Sequence, residues 1–342
     1  ELLDGVHDVD EVDGADPTTP AAAVRDVDLA TLRASHTREG HPAADLAAWR
    51  EALAGLDGPT RLLDALCPEA GAAPGAPAGD LGAEPERAPR HHQRHLAVDE
   101  ATTNRLTAAA RRRGLTLGTV LHGAWGLVVG RLTGARDVVV GSTVSGRDGT
   151  LPGVEDAVGL FINTVPVRVR WAPGEAAADA LVALQQHRTE LLDHDRVALA
   201  ALQRELGHGE LFDSLVVVEN YPRPEGRGPV TVEGVDVVDA VHYPVALIAA
   251  VGNRLELTVK HDPTRVDAAA ADLVVAQLRR TLDRLAADPE APVAAIALRD
   301  AADVVPHPDT AHPVAPATLT GWIAAQAAAT PDAPAVVAED VT

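Results

Sequence analysis

The sequence predicts an α/β protein, an α+β layered sandwich in which a mixed sheet is covered by helices. Three observations lead there. Short apolar runs such as DVVVGSTVSG and DSLVVVEN lack alternation, as expected of strands covered on both faces. One run, TVPVRVRW, alternates with a period of two. Between these runs lie segments whose apolar residues recur three and four apart, and strands interleaved with covering helices make a layered architecture.

The elements follow in chain order. Residues 1–20 are acidic and rich in turn formers. DLAAWREALAGL (Asp45–Leu56) predicts a short amphipathic helix with Asp45 as its N-cap and Leu46, Trp49 and Leu53 on one face. Cys67–Arg90 is Pro/Gly/Ala-rich and aperiodic, a flexible linker by composition. RHHQRHL follows Pro89 and predicts an extended start, with positions 91, 93 and 95 on one face and His92 on the other. TTNRLTAAARRRG is helical and stops at Gly114. The next helix, TLGTVLHGAWGLVVGRLTG, places Val120, Leu121, Ala124, Leu127, Val128 and Leu132 at helical spacing.

Asp137–Gly146 reads as a buried strand. TVPVRVRW puts Val165, Val167, Val169 and Trp171 on one face and Arg168 and Arg170 on the other. DALVALQQHRTELLDH predicts a helix, DSLVVVEN a buried strand, LELTVKHD a half-buried one, and DAAAADLVVAQLRRTLDRLAAD a long helix capped by Asp267. The chain then drifts into a proline-rich stretch before a last small element begins at Thr318.

Composition excludes several functions. The core must be built from Ala, Val and Leu, because the 342 residues include only two Phe, two Tyr and four Trp. A net charge of −21 disfavours a nucleic-acid partner. No run approaches the roughly 20 apolar residues a membrane span needs, and ELLDGVHDVD lacks the features of a signal peptide; a cytoplasmic protein is expected. The single cysteine, Cys67, permits neither an internal disulfide nor a cysteine metal cluster. The only lysine, Lys260, does not sit in a G-x-x-x-x-G-K phosphate loop and is a poor candidate for a Schiff base. Methionine is absent even at position 1, so an excerpt of a longer polypeptide is expected.

Candidate chemistry is sparse. The histidines of RHHQRHL lack a nearby Cys or Glu at zinc-like spacing, and Arg90 and Arg94 would repel a cation, so a solvated polar strand is the favoured reading and no metal is expected. GSTVSGR is not a G-x-S-x-G elbow. Glu155 and Asp156 are adjacent carboxylates best read as loop or helix-start charge. The scarce aromatics concentrate in three stretches: VGLFINTVPVR with Phe161, LFDSLVVVENYP with Phe212 and Tyr221, and VHYPVAL with Tyr243. Asn220, at the end of its strand, either bonds turn backbone or faces a ligand.

Together these stretches resemble the condensation domains of nonribosomal peptide synthetases, specifically their C-terminal lobe, over roughly residues 1–300. VGLFINTVPVR is similar to that family's G-x-F-x-N-T segment, matched by Gly159, Phe161, Asn163 and Thr164. DHDRVAL is a weaker form of the next motif and keeps its histidine, His194; FDSLVVVENYP matches the motif ending Asn-Tyr-Pro. AVRDVDLATL looks like a degraded earlier motif that keeps Asp26, with Val24 and Val27 where aromatics are usual. LTGWIAAQAAATPDAPAVVAED resembles the opening of an adenylation domain, far too short to bind ATP.

The resemblance implies a chloramphenicol-acetyltransferase-like C-terminal lobe and a division into residues 1–66 (end of the N-terminal lobe and crossover), 67–90 (linker), 91–300 (C-terminal lobe), 301–317 (linker) and 318–342 (start of an adenylation domain). It implies amide formation between two carrier-bound aminoacyl or peptidyl thioesters. The partners would be carrier-protein domains, the adjacent adenylation domain and the N-terminal lobe. No cofactor would be bound directly; the 4′-phosphopantetheine arms of the carriers would enter a shared tunnel. By the same resemblance Phe161, Asn163, Thr164, Asn220 and Tyr221 would line that tunnel, and Ser145, Arg147 and Glu155 would belong to a loop reaching the other lobe.

The family's catalytic H-H-x-x-x-D-G is absent: HHQRHLA has Leu96 and Ala97 where Asp and Gly are required. No catalytic residue is therefore assigned, and the chain is expected to be inactive alone. A carrier-docking scaffold, a stand-alone acyltransferase of the same superfamily and a heterocyclising variant stay open as alternatives.

Overall fold

The computed structural model describes residues 42–67, 91–147, 161–219, 241–296 and 318–333. The chain divides into two units, Glu1–Leu298 and Arg299–Thr342. The described part of the first unit contains helices α1 (Pro42–Ala52), α2 (Leu62–Leu66), α3 (Glu100–Arg112), α4 (Leu117–Thr133), α5 (Ala177–Glu190), α6 (Leu199–Leu206) and α7 (Ala268–Ala287). Its strands are β1 (His92–Val98), β2 (Asp137–Val144), β3 (Asn163–Arg170), β4 (Ser214–Glu219), β5 (Val245–Val251) and β6 (Leu255–His261). The strands form one six-stranded sheet in the order β1-β6-β5-β4-β2-β3. It is mixed: β2–β4 and β4–β5 pair in parallel, the rest antiparallel. This is the predicted α/β class.

Local signals explain most boundaries. Asp99, Thr116 and Asp267 accept hydrogen bonds from Thr102 N, Thr119 N and Ala270 N, capping α3, α4 and α7. Gly114 follows α3 with φ 67°, as its place in the sequence predicts. Asp45 is not the cap of α1. The helix begins at Pro42, since a proline suits the first helical position, and this leaves the Asp45 carboxylate inside the first turn for a distant partner. Three elements carry no clear signal in the sequence. VALIAAV (β5) is a continuous apolar run that periodicity cannot assign, and α2 and α6 are too short to show a period.

The sheet has two differently covered faces. On one, Leu96, Leu257, Leu247, Val216, Val140 and Val167 face the buried stripes of α4 and α7. Trp125 of α4 is fully enclosed and its Nε1 donates to Ser214 Oγ at 3.3 Å; burying such a side chain contributes roughly 1.5–3 kcal/mol. α4 lies close over β3 because Gly126 has no side chain: a Cβ there would come within 2.5 Å of Val169 Cγ2. On the other face a smaller core gathers Trp49 and Leu53 of α1 with Val139, Leu202, Leu211 and Phe212.

Two details of β3 depart from simple alternation. Val167 and Val169 join the larger core, whereas Val165 joins the smaller one beside Leu191 and Val197. Arg168 is only 7% exposed because α1 covers its face. Its guanidinium donates to both Asp137 carboxylate oxygens, at 2.8 and 2.6 Å, and to Ala52 O and Ala54 O. That pairing pushes the Arg168 pKa up. From His92 onward RHHQRHL does enter a strand, with His92, Gln93 and His95 exposed.

In the second unit Thr318 accepts from Gly321 N and caps helix α8 (Leu319–Ala329), which exposes Leu319, Trp322 and Ile323. No single helix among the described residues is long and apolar enough to cross a membrane.

Candidate functional site at the end of the β2–β3 hairpin

β2 and β3 pair from Asp137↔Arg170 to Val144↔Asn163, so the chain leaves the sheet at Val144 and returns beside its point of departure. Two contacts hold these ends together. Gly146 adopts φ 64°, and a Cβ there would lie 1.9 Å from the Phe161 carbonyl oxygen, so only glycine lets the two backbones meet. The Arg147 guanidinium stacks over the Phe161 ring, 4.7 Å from its centroid. Arg147 N donates to Ser145 Oγ at 3.3 Å. Phe161 itself is buried, while Ile162 beside it is 54% exposed.

Asn163 binds across to a second segment. Its Nδ2 donates to Asp195 O at 2.7 Å and Val197 O at 2.9 Å, which fastens the loop after α5 to the start of β3. Both amide hydrogens are therefore used within the protein, and among the described residues Oδ1 is the atom left to meet another group. Thr164 stands opposite Thr143, half-buried, and its hydroxyl has no partner among the described residues. The same loop holds His194, whose Nδ1 donates to Asp45 Oδ1 at 2.7 Å while its carbonyl accepts Trp49 Nε1 at 2.9 Å. Arg188 pairs with Asp195 at 3.4 Å.

Sequence reasoning missed His122 and Ser142. His122 projects from α4 onto β2, where Nε2 accepts from Ser142 Oγ at 2.8 Å and Nδ1 donates to Gly118 O at 2.7 Å. Burial holds its pKa down to about 4. A histidine on the sheet-facing side of an apolar helix, together with a serine in a buried strand, was the available signal.

The structure thus brings Ser145, Arg147, Phe161, Asn163 and Thr164 to one end of the sheet. Asn220, Tyr221 and Glu155 lie outside the described residues, as do Asp26, Gly159 and the segment 68–90. Among the described residues no group of three or more His, Cys, Asp or Glu converges to hold a metal ion. His194 and His122 have both ring nitrogens or their carbonyl engaged in holding segments together. What this end offers is an exposed apolar side chain, a hydroxyl and an amide oxygen: groups that bind and orient.

Residues 76–303 match the family model described as the condensation domain. The chain belongs to the condensation-domain family. It is 37% identical over 203 residues to a linear gramicidin synthase of Brevibacillus parabrevis, covering 58% of this chain and 4% of that protein. With surfactin synthase subunit 3 of Bacillus subtilis (strain 168) it shares 30% identity over 306 residues, 86% of this chain and 22% of that one. The first condensation domain of the calcium-dependent antibiotic synthetase, solved in complex with substrate analogue 3a, superposes with a TM-score of 0.62 at 25% identity, covering 82% of this chain and 59% of that one. The chain therefore spans a small part of the curated synthases it matches and about three-fifths of a solved condensation domain.

Proposed function

We propose that residues 91–300 are the C-terminal lobe of a peptide-synthetase condensation domain, with residues 1–66 ending the N-terminal lobe and its crossover. Residues 67–90 and 301–317 act as linkers, and 318–342 open an adenylation domain in the cytoplasm. The observation that carries the reading is the condensation-domain match over residues 76–303, with the G-x-F-x-N-T residues Phe161, Asn163 and Thr164 inside it at the end of the β2–β3 hairpin. The exposed Leu319, Trp322 and Ile323 of α8 favour the adenylation assignment, since they are apolar groups suited to burial in a larger domain.

In the reaction, the amine nitrogen of the acceptor attacks the thioester carbonyl of the donor. The C–N bond forms, the C–S bond breaks, and the donor pantetheine leaves as a thiol. The step needs a group to position or deprotonate the amine and stabilisation of the oxyanion. The chain has no H-H-x-x-x-D-G for the first. Its part is to shape one wall of the tunnel for the two pantetheine arms: Thr164 and the Asn163 Oδ1 bond the amide-rich arms, Asn220 and Tyr221 continue the wall, and Phe161 with Arg147 fixes where the loop containing Glu155 departs from Ser145. Carrier domains, the N-terminal lobe and the adenylation domain are the partners. Asn220→Ala in the parent synthetase should slow dipeptide formation at least about tenfold with unchanged thermal stability; unchanged turnover would reduce Asn220 to a turn residue.

A further inference from the structure

Strand pairing places a second histidine against the RHHQRHL strand. His92 of β1 and His261 of β6 are directly opposed, 169 positions apart in sequence but neighbours in register. Their rings meet edge-on at 86°, with centroids 5.7 Å apart. His261 is 1% exposed, its Nδ1 donates to Val266 O at 2.9 Å, and its Nε2 is enclosed with no hydrogen-bond partner among the described residues. His92, by contrast, is open to solvent.

A buried imidazole with one nitrogen hydrogen-bonded and the other unpartnered needs an explanation. A backbone carbonyl that accepts from Nδ1–H fixes the tautomer and leaves Nε2 as the lone-pair nitrogen, as partners of metal-bound histidines do. With metal–nitrogen bonds of about 2.0–2.1 Å at near-tetrahedral angles, two imidazoles sharing one ion have centroids roughly 5–6 Å apart. Arg94, on the same strand as His92, is committed to Asp272 of α7 at 2.6 Å, which offsets the repulsion its charge would exert.

We propose that His92 and His261 form a two-histidine site for a divalent d-block cation of the imidazole-preferring kind, such as Zn²⁺ or Cu²⁺. Water completes the shell, in keeping with the absence of a three-residue cluster among the described residues. The bound ion staples edge strand β1 to β6 and holds the ladder in register at its open end.

The test is titration of the metal-stripped, tag-free 342-residue chain with Zn²⁺ by calorimetry, with Cu²⁺ electron paramagnetic resonance counting the bound nitrogens. The site predicts a rise in thermal midpoint with Zn²⁺ and two imidazole nitrogens on Cu²⁺. His92→Ala, an exposed substitution that leaves the core intact, should weaken Zn²⁺ at least about tenfold and reduce the nitrogen count to one. His95→Ala, on the opposite face of β1, should change neither. Wild-type affinity in His92→Ala, an equal loss in His95→Ala, or no Zn²⁺ binding by the wild type at millimolar concentration would each overturn the proposal. His261→Asn, scored only if its circular dichroism matches wild type, should reproduce the loss of His92→Ala, and full affinity there would overturn it equally.

Discussion

The Nδ1 of His194 donates to Asp45 Oδ1 at 2.7 Å, joining two residues 149 positions apart. With Trp49 Nε1 on the His194 carbonyl, it ties α1 to the loop that Asn163 holds from the other side. The G-x-F-x-N-T strand end and α1 are thus connected through one loop.

Asp45→Ala and His194→Ala should each cost about 1–3 kcal/mol, because each leaves a largely enclosed polar partner unmatched. Urea denaturation of the two single variants and the double variant should give a coupling energy of at least about 0.5 kcal/mol. A coupling of zero would mean that the bond does not join the segments.

Gly146→Ala combines a left-handed backbone with a collision against the Phe161 carbonyl. Gly174 has a similar φ of 80° but nothing within 4 Å of an added Cβ. Gly174→Ala should therefore cost about 1 kcal/mol and Gly146→Ala clearly more, about 2–3 kcal/mol, when thermal or chemical unfolding is measured. Equal costs would show that the two ends of the hairpin loop do not meet as described.

His122 makes stability depend on pH. Its folded pKa, about 4, lies below the ordinary value of 6.5, so the neutral ring is favoured by folding. The contribution is fully present above about pH 6.5 and is lost as pH falls toward 4, on the order of 2 kcal/mol for a ring that keeps some exposure. His122→Gln does not titrate there. Its stability measured by urea unfolding should fall less than wild type between pH 7 and pH 4.5; parallel profiles would contradict the assignment.

Much of this was legible in the sequence where pattern and physics agree. Alternation in TVPVRVRW located β3, Asp267 marked a helix start, Thr318 marked the start of the last element, and the G-x-F-x-N-T residues pointed to the family. What failed depended on contacts between distant segments. Asp45 reads as a cap until His194 arrives beside it. Arg168 reads only as a charge on the second face of its strand until Asp137 and α1 enclose it. Val165 shares the parity of Val167 and Val169, yet packs in the other core with Leu191 and Val197. Asn163, read as facing a tunnel, directs its amide hydrogens to Asp195 and Val197, a use that no local pattern encodes. The His92–His261 pair exists only because β1 and β6 are neighbours in the sheet.

The central claim is that this chain contributes a tunnel wall to peptide-bond formation and lacks the group that handles the amine. Single-turnover dipeptide formation from an aminoacyl-loaded donor carrier and a loaded acceptor carrier, read by mass spectrometry, tests it directly. The account predicts product from the parent synthetase and none above background from the 342-residue chain. Dipeptide formed by the isolated chain, or none formed by a parent carrying an intact H-H-x-x-x-D-G, would contradict it.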